Sequence, residues 1–313
     1  MTNEPGRPRR GADAGLPAAA RARMAEIRRS RTWGSALGAD EFAAIRAVGF
    51  EPVGQVLGAA VYNLGYSGGY DCPGPWGPRM AGPEHAVTQV SGRAGAGSFA
   101  PLARALYTAR RTAIARMSAE CAELGGHGVV GVRLSAGPFL AGGTEFQAIG
   151  TAVRVPGAAR LRQPFTSDLS GQDFAKLIAK GWVAAGLVLG ISVGVRHDDG
   201  LTVRQQRWMA GNAELRHTEL VNATRHDARN QLRADIQRLG AEGVVIADMS
   251  LKISRRGCPV RDKAYDHIAE ATVIGTAIVP FARTAQHPGP PSLATLSLDP
   301  QRRRAARTRT RTR

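Results

Sequence analysis

The 313-residue chain has few of the features that mark secreted or membrane proteins. Its three cysteines, an odd number without regular spacing, exclude a disulfide framework and favour a reducing cytoplasm. The first 36 residues contain no apolar stretch of the kind found in secretory signals. The longest apolar run, residues 181–195, has 15 residues and many glycines, which is too short to span a bilayer. The sequence therefore predicts a cytoplasmic protein without a membrane span.

Aromatic residues are also scarce, at 5% of the chain, so a hydrophobic core has to be built from Val, Leu, Ile and Ala. Two common catalytic motifs are missing, because the sequence contains no HExxH or P-loop pattern. The glycine turns at Gly125 and Gly240 follow a helix, so they present carbonyl groups and not the amide groups that bind phosphate. Asp198 and Asp199 precede Gly200, which is typical of a turn. We therefore expect a protein without enzymatic activity.

Lysine is rare, because 38 of the 42 basic residues are arginines, which is typical of a GC-rich bacterial genome. The net charge of +17 belongs mainly to the two ends of the chain. Residues 1–33 carry eight arginines against three acidic residues, and residues 282–313 carry eight against one. We interpret residues 1–36 and 282–313 as disordered basic segments, with a helix over residues 18–29 as the alternative for the first.

The arginine-rich end of the chain can bind nucleic-acid phosphates or another anionic surface through charge alone. No aromatic residue is interleaved with the arginines, so the segment does not offer base stacking. The alternative is a solvated tail whose composition reflects codon usage. The residues concerned are Arg302, Arg303, Arg304, Arg307, Arg309, Arg311 and Arg313.

The main positive feature of the sequence is an internal repeat. Residues 124–132 read LGGHGVVGV, and residues 239–247 read LGAEGVVIA. Upstream, residues 37–61 align without a gap with residues 169–193, and ten of the 25 positions are identical. Downstream, the segment from Glu145 to Ala152 aligns with that from Glu270 to Ala277. Three similar blocks in the same order indicate a tandem duplication.

Each copy predicts the same order of elements. A short helix ends at a glycine and is followed by an apolar strand, a long helix and two more strands. The long helix carries apolar residues at steps of three or four, from Leu102 to Leu124 in the first copy and from Val221 to Leu239 in the second. One apolar stripe implies one helix packed on a three-stranded sheet. The predicted fold class is α+β, with two tandem β-α-β-β two-layer domains.

The predicted domain bounds follow from this pattern. The first domain covers residues 37–155 and includes a Gly/Pro-rich insert at residues 63–97. A linker follows at residues 156–168, and the second domain covers residues 169–281.

Together these motifs resemble the YbjQ-like family, whose label is heavy-metal binding. The resemblance implies a small α/β domain that assembles into a ring, often with five-fold symmetry. The usual Tyr before Gly-Thr-Ala is replaced here by Ile149 and Ile274. The matching residues include Gly54, Leu57, Gly58, Ala109, Arg110, Ala113, Arg116, Met117, Leu124, Gly125 and Glu145 in the first copy, and Gly186, Leu189, Gly190, Arg225, Ala228, Leu239, Gly240 and Glu270 in the second.

A site for a soft metal needs two to four converging Cys or His side chains. Cys121 aligns with Ile236, which indicates a core position, and His127 falls in a turn where we expect it to be solvated. The remaining candidate ligands lack the usual ligand spacing, so we expect no tight stoichiometric metal site, and a heavy metal is implied by the family label alone. These candidates are Cys72, Cys258 and His267.

Two charged positions are the same in both copies. Arg110 and Glu145 in the first copy correspond to Arg225 and Glu270 in the second. We predict an ion pair between Arg110 and Glu145 and another between Arg225 and Glu270, within a domain or across the junction. The alternative is that these residues bind a shared ligand at that junction.

The sequence thus favours a non-enzymatic, oligomeric protein that binds a ligand or forms an assembly. The alternative is an accessory nucleic-acid-associated protein that acts through its arginine-rich ends. Because a three-stranded sheet has two open edges, we expect the two copies to dock through extensive, equivalent surfaces. A ring of five domains cannot be closed by a whole number of two-domain chains. We therefore predict a homo-oligomer of three chains with six domains or of five chains with ten domains.

Overall fold

The computed structural model describes residues 16–63, 89–91, 100–140, 142–159, 161, 163–197, 211–257 and 265–280. The helices in these ranges are α1 (Ala18–Ser30), α2 (Ala39–Ala47), α3 (Ala100–Glu123), α4 (Gly171–Ala179) and α5 (Gly211–Arg238). The strands are β1 (Glu51–Tyr62), β2 (Gln89–Val90), β3 (Gly128–Pro138), β4 (Thr144–Arg154), β5 (Phe165–Thr166), β6 (Trp182–His197), β7 (Gly243–Gly257) and β8 (Tyr265–Pro280).

The strands form two four-stranded sheets. The first has the order β1-β4-β3-β5, and the second has the order β2-β6-β8-β7. The three long strands of each sheet pair antiparallel, and each half has the predicted order of strand, long helix and two strands, which confirms the α+β fold class. The two short strands cross between halves, because β5 pairs with β3 and β2 pairs with β6.

Glycines in β1 and β6 allow each long helix to lie close to its own sheet. A Cβ atom at Gly58 would overlap the carbonyl oxygen of Ala113 in α3, and one at Gly190 would overlap that of Ala228 in α5. The cores around these contacts consist mainly of aliphatic side chains, as the composition predicts. Cys121 is fully buried in the first core.

Corresponding residues make corresponding contacts in the two halves. The hydroxyl oxygen of Thr151 accepts the amide of Ala36 at 3.0 Å, and that of Thr276 accepts the amide of Asp168 at 3.0 Å. Residues 1–280 form one compact unit. The division of this unit into two domains with the bounds derived from the sequence stays a prediction. The segment that was predicted as a linker contributes β5 to the first sheet.

Residues 18–30 form α1, which agrees with the alternative of a helix over residues 18–29 and not with disorder in this part of the segment. The helix is held by the fully buried side chain of Met24 and by an ion pair between Arg23 and Glu120. Most of the Gly/Pro-rich insert and all of residues 281–313 lie outside the described residues. No helix in the described part of the chain is long and apolar enough to cross a membrane.

Candidate functional site at the junction of the two halves

Tyr107 on helix α3 of the first half forms two hydrogen bonds with the outer edge of β6 in the second half. The Tyr107 hydroxyl accepts a hydrogen bond from the Ile191 amide at 2.8 Å and donates one to the Leu189 carbonyl at 3.2 Å. Burial raises the pKa of Tyr107 to about 12, so the hydroxyl keeps its proton at neutral pH. One side chain therefore satisfies two backbone groups that would otherwise lie open at the edge of the sheet.

A buried carboxylate completes this edge. Asp235 of α5 accepts the Leu189 amide at 3.2 Å and forms ion pairs with Arg111 of α3 at 2.7 Å and with Arg238 at 2.6 Å. The Arg111 pair joins the two long helices across the junction, so the carboxylate charge is both hydrogen-bonded and paired.

An apolar seam lies beside these polar contacts. From the first half it contains Ala103, Leu106, Ala109 and Phe146, and from the second half Ile191, Val193 and Val195, all of them buried. A second shared core joins β3 and α2 to α4 through Ile45, Val130 and Phe174. The halves therefore meet through a dry contact of the kind found inside a single domain.

A cleft of about 230 Å³ opens between β3 of the first half and the β7–β8 face of the second. It carries two cationic groups, two carboxylates and three hydroxyl groups, but no histidine or cysteine. This set can hold a small polar or charged molecule, and it lacks a thiol or imidazole for covalent or general-base catalysis. The lining residues are Arg110, Leu134, Ser135, Ala136, Asp248, Ser250, Lys252, Glu270, Thr272 and Ile274.

Arg110 faces the cleft and lies over the Phe146 ring, with its guanidinium carbon 5.1 Å from the ring centroid. Burial lowers the pKa of Arg110, and the negative charge of Glu270 acts in the opposite direction. Arg110 of the first half and Glu270 of the second half thus line the same cleft.

Of the charged positions shared by the two copies, Arg110 and Glu270 line one cleft, and Glu145 and Arg225 do not. Among the described residues, no ion pair joins Arg110 to Glu145 or Arg225 to Glu270. Glu145 instead accepts a hydrogen bond from the Gln147 side-chain amide at 2.9 Å, and Arg225 is exposed on α5. The sequence identifies the four residues but does not show which copy faces which.

Of the three candidate metal ligands only His267 is among the described residues, and within those residues no group of three or more His, Cys, Asp or Glu could hold a metal ion. The His267 Nδ1 atom lies 3.2 Å from the Nε2 atom of His217, which is 50 residues away and shows no ligand spacing with it in the sequence. The Cys121 thiol contacts the Gly128 carbonyl oxygen at 3.3 Å, and burial raises its pKa to about 12. A thiol that stays protonated is a poor metal ligand.

The structure corrects the prediction for His127, and other predicted residues lie outside the described part of the chain. His127 is buried, not solvated, and its Nδ1 atom accepts the Val155 amide at 2.9 Å. The turn that contains His127 places the imidazole ring next to the end of β4. Such a contact produces no periodic pattern in the sequence. Cys72, Cys258 and the arginines from Arg302 to Arg313 lie outside the described residues.

Comparisons with known proteins support the family suggested by the motifs. A family model described as "Putative heavy-metal-binding" matches residues 86–156, which include α3, β3 and β4. The encapsulin nanocompartment protein Rv1762c of Mycobacterium tuberculosis is 32% identical over 231 residues, which cover 69% of this chain and 76% of that relative. No solved structure shows significant similarity. With its repeated motifs, its α+β halves and these two matches, the chain belongs to the YbjQ-like family.

Proposed function

We propose that this protein is a non-enzymatic assembly protein, built from several copies of itself that join head to tail. The observation that carries the proposal is a difference between two corresponding strands. The outer edge of β3 is covered inside the chain, whereas the outer edge of β7 is open among the described residues.

The covering of β3 shows how an edge is closed. The Ser167 amide donates to the Val129 carbonyl at 2.9 Å, and the Val132 amide donates to the Ser167 carbonyl at 2.9 Å. The Gly131 amide donates to the Leu169 carbonyl at 3.0 Å. The segment that precedes α4 of the second half thus extends the sheet of the first half.

Among the described residues, strand β7 presents the corresponding edge without such a cover. Three of its large apolar side chains are about half exposed: Ile246 at 48%, Met249 at 47% and Ile253 at 54%. Positive charges that discourage pairing occur at its far end, from Lys252 onward, while residues 243–247 carry no charge. An edge with exposed apolar side chains favours pairing with another chain.

The segment that fits this edge best is residues 33–37 of a second copy, which correspond to residues 165–169. Ser35 and Leu37 repeat the contact of Ser167 and Leu169, because in each case the serine hydroxyl accepts the leucine amide. Trp33 takes the place of Phe165 and is 39% exposed. One difference requires adjustment, since Gly131 has φ of 66° and its counterpart is Ile246. Repetition of this contact would close a ring, for which we propose three or five chains.

The name of the mycobacterial relative bears on where such an assembly acts. That protein is named as part of an encapsulin nanocompartment, and by analogy we place this chain in one as well, in the cytoplasm. Self-assembly accounts for the open edge of β7, whereas ligand binding alone would leave that edge unexplained. The cleft at Arg110 is a secondary feature of the proposal.

Light scattering on the full chain tests the proposal. We expect the wild type at micromolar concentration to have a mass of three or five times 33.1 kDa. The double variant Ile246→Lys/Met249→Lys should dissociate to single chains, because two lysines on an edge oppose pairing. Leu140→Lys is the matched control, since Leu140 is fully exposed in the β3–β4 turn and should not affect the mass. A wild-type mass of 33.1 kDa throughout the micromolar range would refute the proposal.

A further inference from the structure

Helix α1 contacts the first half at a carboxylate that corresponds to the one α3 contacts in the second half. Glu120 corresponds to Asp235, and each carboxylate accepts the amide of a corresponding edge residue, Leu57 at 2.8 Å and Leu189 at 3.2 Å. Each carboxylate also pairs with an arginine of a neighbouring helix, which is Arg23 of α1 in one case and Arg111 of α3 in the other. Helix α1 thus fills a site that, in the second half, receives the long helix of a preceding unit.

Helix α1 fills that site incompletely. Met24 is its one fully buried side chain, flanked by a half-buried stripe at Ala20, Arg23 and Ile27. The receiving surface shows the difference, because Val61 of β1 is 45% exposed while its counterpart Val193 of β6 is 1% exposed. The first half therefore has a partly open helix-binding surface.

Helix α5 carries side chains that match this surface. Its residues Val221, Arg225 and His226 correspond to Leu106, Arg110 and Arg111, with which α3 contacts the second half. Arg225 is exposed and makes no ion pair with any described residue. The receiving surface supplies Glu145, the counterpart of the Glu270 that lines the same cleft as Arg110. The relation of Arg110 and Glu270 inside the chain can therefore recur between chains.

We infer that α5 of a second copy takes the place of α1 beside β1, with Arg225 of that copy placed against Glu145. This inference rests on the proposed head-to-tail assembly and names its second contact surface. Because α1 and the incoming α5 use one site, α1 competes with assembly and raises the concentration at which copies associate. The seam between chains contains Thr218 and Val221 where the internal seam has Ala103 and Leu106, so the contact between chains is the weaker one.

Charge reversal on the full-length protein tests the placement of Arg225. Arg225→Glu and Glu145→Arg should each raise the concentration at half-association about tenfold, because each places like charges together. The double variant should return to within about twofold of the wild type, because the pair is restored in the opposite sense. Lys180→Glu is the matched control, an exposed site with the same change in charge, and should leave association unchanged. Circular dichroism checks that each variant is folded.

Two results would overturn the inference. The first is single variants that associate like the wild type, and the second is a double variant no better than either single one. If these occur while Ile246→Lys/Met249→Lys still dissociates the protein, edge pairing stands and the placement of α5 is wrong. A wild type that never associates refutes both proposals.

The competition by α1 has its own test. Met24→Ser removes the main buried side chain of α1 and leaves the Glu120 pair in place. We expect association at about fivefold lower concentration, because the site is released more readily. An unchanged or higher concentration at half-association would contradict displacement of α1.

Discussion

The hydroxyl group of Tyr107 offers the most direct test of how the two halves are held together. Tyr107→Phe removes one oxygen atom and leaves the ring in place. The Ile191 amide then loses its acceptor at 2.8 Å, and the Leu189 carbonyl loses a donor at 3.2 Å. Ile191 and Leu189 are 1% and 2% exposed, so water has little access to repair the loss.

The expected cost follows from these two backbone groups. A buried donor or acceptor that is left unsatisfied costs about 1–3 kcal/mol. The amide is the tighter contact, and the carbonyl retains a second lone pair, so we expect the free energy of unfolding to fall by about 2 kcal/mol. Urea unfolding at pH 7, followed by circular dichroism, measures this difference, and the slope with urea should not change.

Tyr62→Phe is the matched control for this experiment. Its hydroxyl lies 3.4 Å from the Thr112 hydroxyl, and both groups are partly accessible, so the expected change is below about 0.5 kcal/mol. If Tyr107→Phe costs no more than this control, the hydroxyl does not fasten β6 and our account of the junction is wrong.

The same residue gives a pH dependence with a definite sign. Burial raises the pKa of Tyr107 to about 12, above its ordinary value of about 10. The neutral hydroxyl is favoured in the folded protein, so its contribution is complete below pH 10 and is lost as the pH rises towards 12. The stability difference between the wild type and Tyr107→Phe should therefore narrow above about pH 10.

Two further results are expected from the packing of the first half. Gly58→Ala should destabilise the protein by about 3 kcal/mol or more in thermal unfolding, because its Cβ would overlap the Ala113 carbonyl, whereas Gly137→Ala, with open space around it, should change little. Cys121 should resist alkylation at pH 8 in the folded protein and react only in denaturant, because its thiol is buried with a pKa of about 12. Peptide mass spectrometry measures this, and stoichiometric labelling of the native protein at Cys121 would contradict it.

The overall fold could be predicted because its signals are local and repeated. The long helices show a clear apolar periodicity, and Gly58 and Gly190 mark the places where each helix lies close to its strand. The burial of Cys121 also followed from a local comparison, since its counterpart is Ile236. Each of these inferences needs only the sequence of one element and its repeat.

Other features could not be predicted because they depend on contacts between distant residues. For α1 the sequence left helix and disorder as alternatives, and the contacts that order it, through Met24 and the pairing of Arg23 with Glu120, involve residues far apart in the sequence. Whether Arg110 and Glu270 line one cleft depends on which half lies next to which, and alignment of the two copies does not contain that information.

The two halves differ most where they would use the same surface for different purposes. Inside the chain, α3 presents Ala103 and Leu106 to a strand that contains Ile191 and Val193, and this seam is dry and buried. The corresponding residues on the strand of the first half are Ala59 and Val61, the second of which is 45% exposed. An apolar seam suits a permanent contact, because its exposure would favour aggregation. A smaller and more polar surface suits a contact that has to open and close, since both of its sides remain compatible with water when the chains are apart. The divergence of the two copies is therefore what we expect if one junction holds the chain together and the other joins it, reversibly, to the next chain.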